Sequence, residues 1–149
     1  MQFENIIKQF QFEESEIVDE KKTFIQFVMC DSHYALDIHY VSEIVEVPVI
    51  TPYPEIVPGY LGIVNLGGQI IPVVDFTGKY TNGIETYKVQ KTHLLLVADF
   101  NENSPCGLII ERPRRVDVSL KLLVSATANI NNSPVRLLDE RDFHVKESE

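Results

Sequence analysis

Pro58-Gly59-Tyr60-Leu61-Gly62-Ile63-Val64-Asn65-Leu66-Gly67-Gly68-Gln69-Ile70-Ile71-Pro72-Val73-Val74-Asp75-Phe76 decides how the rest of the chain is read. Four of the seven glycines fall in it, at positions 59, 62, 67 and 68. Two apolar runs, Leu61 to Leu66 and Ile70 to Val74, flank Gly67-Gly68, and small punctuating residues between such runs predict a β-hairpin. A two-residue hairpin turn needs positive φ at both central positions, which glycine adopts without a Cβ clash. The stretch holds no histidine, cysteine or nucleophile, and its only carboxylate is Asp75. It predicts a piece of small barrel that presents a surface and carries out no reaction.

Outward from this hairpin the same grammar recurs. Thr23 to Met29 reads as a strand, Cys30 to His33 as a turn and Tyr34 to Ile38 as a second strand. His39 opens one helical turn that runs into a strand over Ile44 to Val47, which Pro48 ends. The proline-dense 51–58 segment is a loop with extended pieces, and Thr77 to Thr86 is another loop. Thr92 to Phe100, Gly107 to Ile110, Arg115 to Val118 and Val135 to Leu138 are further strands. Leu120 to Ala128 reads equally as helix or extended chain, Asn129 to Pro134 as a turn, and Asp139 to Val145 as a short terminal helix. Residues 1–21 form an acidic tail, in which Phe3, Ile6, Ile7 and Phe10 have helical spacing.

The strands repeat. Lys22 to Val28 aligns with Lys91 to Val97, and Ala35-Leu36-Asp37-Ile38 with Gly107-Leu108-Ile109-Ile110. Ile44 then falls on Val116, and Ile71 to Asp75 on Val135 to Asp139. Four matched segments in one order predict a mainly β fold of two similar small barrels with short helices, packed on each other because neither is large enough to be comfortable alone. The halves run approximately from 22 to 88 and from 89 to 145, with elements open to exchange between them.

At 149 residues the length is that of one domain, and 44% hydrophobic and 23% charged residues are ordinary for a soluble globular protein. No apolar run approaches the roughly 20 residues of a membrane helix. The N-terminus lacks a signal-peptide pattern. A net charge of −9 argues against nucleic acid and anionic membrane as partners. The two cysteines, Cys30 and Cys106, are too few for a secreted disulfide scaffold. A cytoplasmic protein without direct membrane insertion is expected.

Tyr34-Ala35-Leu36-Asp37-Ile38, Val41-Ser42-Glu43-Ile44, the proline-rich connector, Gly62 to Phe76 and Gly107-Leu108-Ile109-Ile110 together resemble the CheW-like domain of bacterial chemotaxis. The resemblance covers about residues 22 to 143 and is strongest over 34 to 76. It implies two five-stranded SH3-like barrels and a non-enzymatic adaptor. Such an adaptor couples the cytoplasmic tip of chemoreceptors to a CheA-type histidine autokinase by binding the kinase's own CheW-like regulatory domain. The family usually carries Asn-Leu-Arg-Gly at the hairpin where this chain has Asn65-Leu66-Gly67-Gly68. The arginine absent here commonly belongs to the binding surface, where it can pair with the glutamate matched by Glu43. The family also has a longer connection and an extra strand segment where this chain has 119–134, which implies a trimmed second barrel. Both departures allow an adaptor for a pathway other than swimming, such as surface motility or development.

Partner-binding candidates follow. Val41, Glu43, Ile44, Asn65, Leu66, Gly67 and Gly68 would lie around the hairpin, with Val41, Ile44 and Leu66 forming an apolar patch if exposed. Arg112, Arg114 and Arg115 stand out in an acidic chain and suit an acidic partner or the chain's own tail, at what reads as a turn before a strand. Asp37 and His39 have one-face strand spacing but no third ligand, so a surface pair is preferred to a metal site. His33, His93 and His144 are scattered, the serines lack a nucleophile signature, and no Gly-Lys-Ser/Thr follows the glycines. No catalytic residue, metal or cofactor is expected. The competing class is a small-ligand-binding β-barrel protein with its pocket between the barrels.

Overall fold

A computed structural model of the chain describes residues 20–55, 57–75, 89–101, 104–124, 127–130 and 133–143. The tail up to residue 19, the Thr77–Thr86 loop, His144 and Val145 lie outside the described residues. The chain runs through β1 (Lys21–Met29), β2 (Ser32–Asp37), a 3-10 turn (Ile38–Tyr40), β3 (Val41–Glu46), β4 (Tyr60–Leu66) and β5 (Gln69–Val74). It continues with β6 (Leu94–Ala98), β7 (Cys106–Ser119), a 3-10 turn (Leu120–Leu122), β8 (Leu123–Val124), β9 (Thr127–Ile130), β10 (Ser133–Leu138) and a last 3-10 turn (Glu140–Phe143). Lys21 is already in β1, and the Glu20 carbonyl accepts from the Leu120 N–H, so the acidic tail joins the sheet one or two residues before its expected end.

The strands form two SH3-like β subdomains. In the first, the order is β3-β6-β7-β5-β4. It closes where Thr51, beyond β3, exchanges backbone hydrogen bonds of 2.8 and 2.9 Å with Ile63 of β4. In the second, the order is β7-β1-β2-β10-β9-β8. One strand, β7, serves both: Cys106 to Ile110 pair with β6, and Glu111 to Ser119 pair with β1.

The central hairpin forms as its sequence requires. β4 and β5 pair from Leu66↔Gln69 outward, and Gly67 and Gly68 have φ of 60° and 90°, the signs of a type I′ turn. Gly62 has a different reason to be glycine, since a Cβ there would run into the Thr51 carbonyl oxygen at the closing bridge.

The subdomains do not divide the chain at residues 88 and 89. The first takes strands from 41 to 110, and the second combines 21–37 with 111–138. The repeat survives in the pairing. Ala35 and Gly107 are repeat equivalents, as are Leu137 and Val73. Leu137 pairs in parallel with Ala35, and Val73 pairs in parallel with Gly107. Each half of the chain thus donates its last strand to the barrel begun by the other.

Two further expectations are corrected. Gly107–Ile110 and Arg115–Val118 are one 14-residue strand, because the Arg112-Pro113 step is a bulge and not a turn. Arg112 takes φ 50° there, and Pro113 needs no ladder N–H at a bulge. The 119–134 stretch carries a 3-10 turn, β8 and β9, and Asn129–Ile130 and Ser133–Pro134, expected in one turn, belong to β9 and β10. Ser119 caps that turn by accepting from the Lys121 N–H.

Three apolar clusters hold the fold. Leu61, Val64, Ile71, Val73, Leu95, Val97 and Ile109 fill the first barrel. Phe24, Ala35, Val118, Ala128, Ile130 and Val135 fill the second. The third lies between them and draws on both: Ile25, Phe27, Met29, Leu36 and Leu138 from one side meet Leu96, Ala98, Leu108 and Ile110 from the other. Alternation along β1 explains the split, since Phe24 faces its own barrel while Ile25 and Phe27 face the neighbour. An aromatic chain, Tyr40–Phe100–Phe143, with ring centroids 4.7 and 4.8 Å apart, packs at the rim of this shared core.

Candidate partner-binding surfaces

The predicted site residues lie on two separate parts of the fold. At the hairpin tip, Asn65, Gly67 and Gly68 are exposed, and the Asn65 side-chain oxygen accepts from the Gly68 N–H at 2.9 Å. That bond fixes the turn from within. Among the described residues a Cβ at Gly67 or Gly68 would meet nothing within 4 Å, so the two glycines leave the tip open.

Val41, Ile44 and Leu66 do not form one exposed patch. All three are half-buried: Val41 and Ile44 pack on the shared core, and Leu66 on the interior of the first barrel. Their faces are set by strand alternation and by a register shift between Val41 and Glu43. The exposed apolar residue at the tip is Ile70, 55% accessible and paired across from Asn65. The doublet Ile70-Ile71 carried that signal: neighbours on a strand point to opposite faces, and Ile71 is buried at 1%. Val49, 87% exposed in the connector after β3, is a second apolar residue that sequence reasoning passed over.

Glu43 is exposed on β3 and makes no ion pair among the described residues. Arg112, Arg114 and Arg115 are likewise exposed and without an ion pair among the described residues. They sit along β7, where Arg114 lies across from Gln26 and Arg115 from Ile25. Successive strand residues face opposite ways, so Arg114 and Arg115 do not act as one cluster.

Asp37 and His39 are joined, but Asp37 is buried and only His39 is exposed. Asp37 caps the first 3-10 turn, accepting from the His39 N–H at 3.0 Å and meeting Lys22 Nζ at 2.9 Å. Burial alone raises its carboxyl pKa; the His39 N–H, Lys22 and the His39 ring outweigh that and hold it below its ordinary value. His93 is engaged by Glu111 at 2.8 Å. Cys30 and Cys106 form no disulfide, and burial, followed by Asp99, pushes the Cys106 thiol up, away from reactive thiolate. Among the described residues no three His, Cys, Asp or Glu side chains gather to hold a metal, and no helix is long and apolar enough to cross a membrane.

Two SH3-like barrels sharing a strand and a core, with their candidate residues on exposed tips and strand faces, define a double-barrel β domain. The chain belongs to the CheW-like domain family, whose model matches residues 23–140. It is 33% identical over 100 residues to a chemotaxis protein CheW of Treponema pallidum (strain Nichols), covering 66% of this chain and 58% of that one. It is 34% identical over 95 residues to the chemotaxis protein CheW of Helicobacter pylori (strain ATCC 700392 / 26695), covering 63% and 55%. The chain thus spans little more than half the length of these relatives. The crystal structure of the scaffolding protein TtCheW from Thermoanaerobacter tengcongensis superimposes with a TM-score of 0.65 over 80% of this chain and 90% of that one. At 22% identity that likeness speaks for the fold.

Proposed function

We propose that this chain is a non-enzymatic signalling adaptor that couples chemoreceptors to a CheA-type histidine autokinase through protein–protein contacts. The observation that carries the reading is the family match over residues 23–140. The surfaces are compatible with docking: a hairpin tip that is open among the described residues beside the exposed Ile70, a Glu43 without an ion pair among them, and arginines along β7. The kinase's CheW-like regulatory domain and the receptor's cytoplasmic tip are the proposed partners, and the cytoplasm the proposed location. Gly67 favours a second version of the same reading, an adaptor whose partner surface differs from that of the family and which serves another chemosensory pathway.

The deciding experiment is a pull-down with mass spectrometry from the native cell. Recovery of a histidine kinase or a chemoreceptor is expected, and recovery of neither would sink the proposal. Gly67→Arg separates the two versions. At φ 60° the arginine bears the left-handed backbone penalty of about 1–2 kcal/mol, and its Cβ meets no neighbour. Tighter binding to a standard receptor–kinase pair is expected if the tip is still used; unchanged binding means that the partner surface lies elsewhere.

A further inference from the structure

The mouth of the second barrel contains a polar arrangement that the adaptor reading does not use. Gln26 follows Phe24 on the inward face of β1 and is 7% exposed. Its Nε2 lies 3.5 Å from His33 Nδ1, and its Oε1 is buried with no hydrogen-bond partner. The two ends of a carboxamide are told apart by their hydrogen bonds. With the amide rotated, Oε1 accepts from a His33 Nδ1–H and the Nε2 donors take the position of the unpartnered oxygen. In the orientation described, one end of Gln26 is held by His33 and the other is left unsatisfied among the described residues, a costly state for a buried amide.

The same cleft is lined by Arg112, Arg114, Ile130 and Ser133. The bulge between β1 and β7 falls beside it, with Arg112 in the left-handed region at φ 50°, a conformation that costs a non-glycine residue energy. Neither arginine makes an ion pair among the described residues. Arg115, on the opposite face, does not line the cleft. The arginines thus rim a recess with a buried, unsatisfied amide in its wall.

We propose that this cleft is a carboxylate-recognition site that takes an acidic side chain from a protein partner. Two guanidinium groups, the Ser133 hydroxyl and the rotated Gln26 amide offer donors to the two carboxylate oxygens. Ile130 offers an apolar wall to the methylene stem of a glutamate. A small free anion satisfies the donors and leaves that wall uncovered, which favours a side chain. A second recess, lined by His33, Ser133 and Arg136, adjoins the first and gives the flanking chain of a partner somewhere to run. The local positive rim stands against a chain of net charge −9, so recognition is short-ranged and confined to the mouth.

The test is an NMR titration of the full chain with a capped Gly-Gly-Glu-Gly-Gly pentapeptide, its glutamine counterpart and inorganic phosphate. The glutamate peptide shifts the Gln26 side-chain amide saturably, and the glutamine peptide binds roughly tenfold more weakly or not at all. The exposed double substitution Arg112→Ala, Arg114→Ala lowers the affinity by about tenfold or more. Gln26→Leu keeps the shape and removes the unsatisfied group, so it folds with stability unchanged or raised and binds the peptide less well. Equal response to the two peptides, or undiminished binding by the double variant, overturns the proposal. Phosphate binding without glutamate-peptide binding also overturns it, in favour of a free-anion site. None of these readouts involves a kinase or receptor, so failure here is distinct from failure of the adaptor reading.

Discussion

In the first barrel an apolar cluster of seven residues fills the interior, and Gly62 lets the chain close backbone to backbone on Thr51. In the second, a comparable apolar interior gives way at one end to the amide of Gln26 and a cleft rimmed by arginine. The step between matched strands differs in the same manner. Ile38 to Ile44 passes through a 3-10 turn capped by Asp37, whereas its repeat equivalent, Ile110 to Val116, stays extended and bulges at Arg112. One repeated plan has thus been finished twice, once by sealing the barrel with glycine and once by leaving polar groups at its mouth. The sealed copy carries the bare hairpin tip; the open copy carries the chemistry of a small recess.

The largest expected effect tests whether the two copies can be separated at all. Leu96 is fully buried in the cluster built from both barrels. Leu96→Ala is expected to cost about 3–4 kcal/mol by chemical denaturation and to leave one cooperative transition. Two transitions, or weakened amide protection confined to the first barrel, would show that the copies fold independently. Gly62→Ala tests the seal. A methyl group there displaces the Thr51 carbonyl, and a loss of about 2 kcal/mol is expected, with hydrogen exchange quickened first at Thr51 and Ile63. A neutral effect would mean that the closing bridge contributes little.

The smallest expected effect concerns the capped step. The Asp37 carboxyl is held below its ordinary value of 3.8, so its contribution is fully present above that value and is lost as pH falls through the lower folded value. Asp37→Asn keeps a cap and removes the charge. It is expected to cost about 0.5–1 kcal/mol at neutral pH, with the gap from wild type closing below about pH 4. A gap that persists in acid would assign the loss to packing instead of ionisation.

The hairpin and the existence of two barrels were legible because they rest on local signals: glycines at a two-residue turn, apolar alternation, and segments repeated in order. Which strand belongs to which barrel was not legible, since likeness relates Val73 to Leu137 without saying that each would pair with the other half's chain. Pro113 hid the continuity of β7, because proline within an apolar run reads as a break unless a bulge excuses its missing N–H. The ten candidate residues were found as types, but the faces of Val41, Ile44 and Leu66 depend on register, which a shift at Val41–Glu43 resets. Gln26 gave no warning, since one glutamine within the run Phe24 to Val28 looks like a solvent-facing position. Both faces of β1 are buried, so alternation from Phe24 turns it inward.

The parallel pairing of β10 with β2 sets an order on the birth of the molecule. Emerging from the ribosome, the chain has every strand of the first barrel once Ile110 is free. The β1–β2 hairpin, made before any of them, must wait for Ser133 to Leu138 before its open side is covered. Its half-finished barrel therefore spends most of synthesis with Ala35 unprotected, and β10, arriving late, covers the open edge of β2.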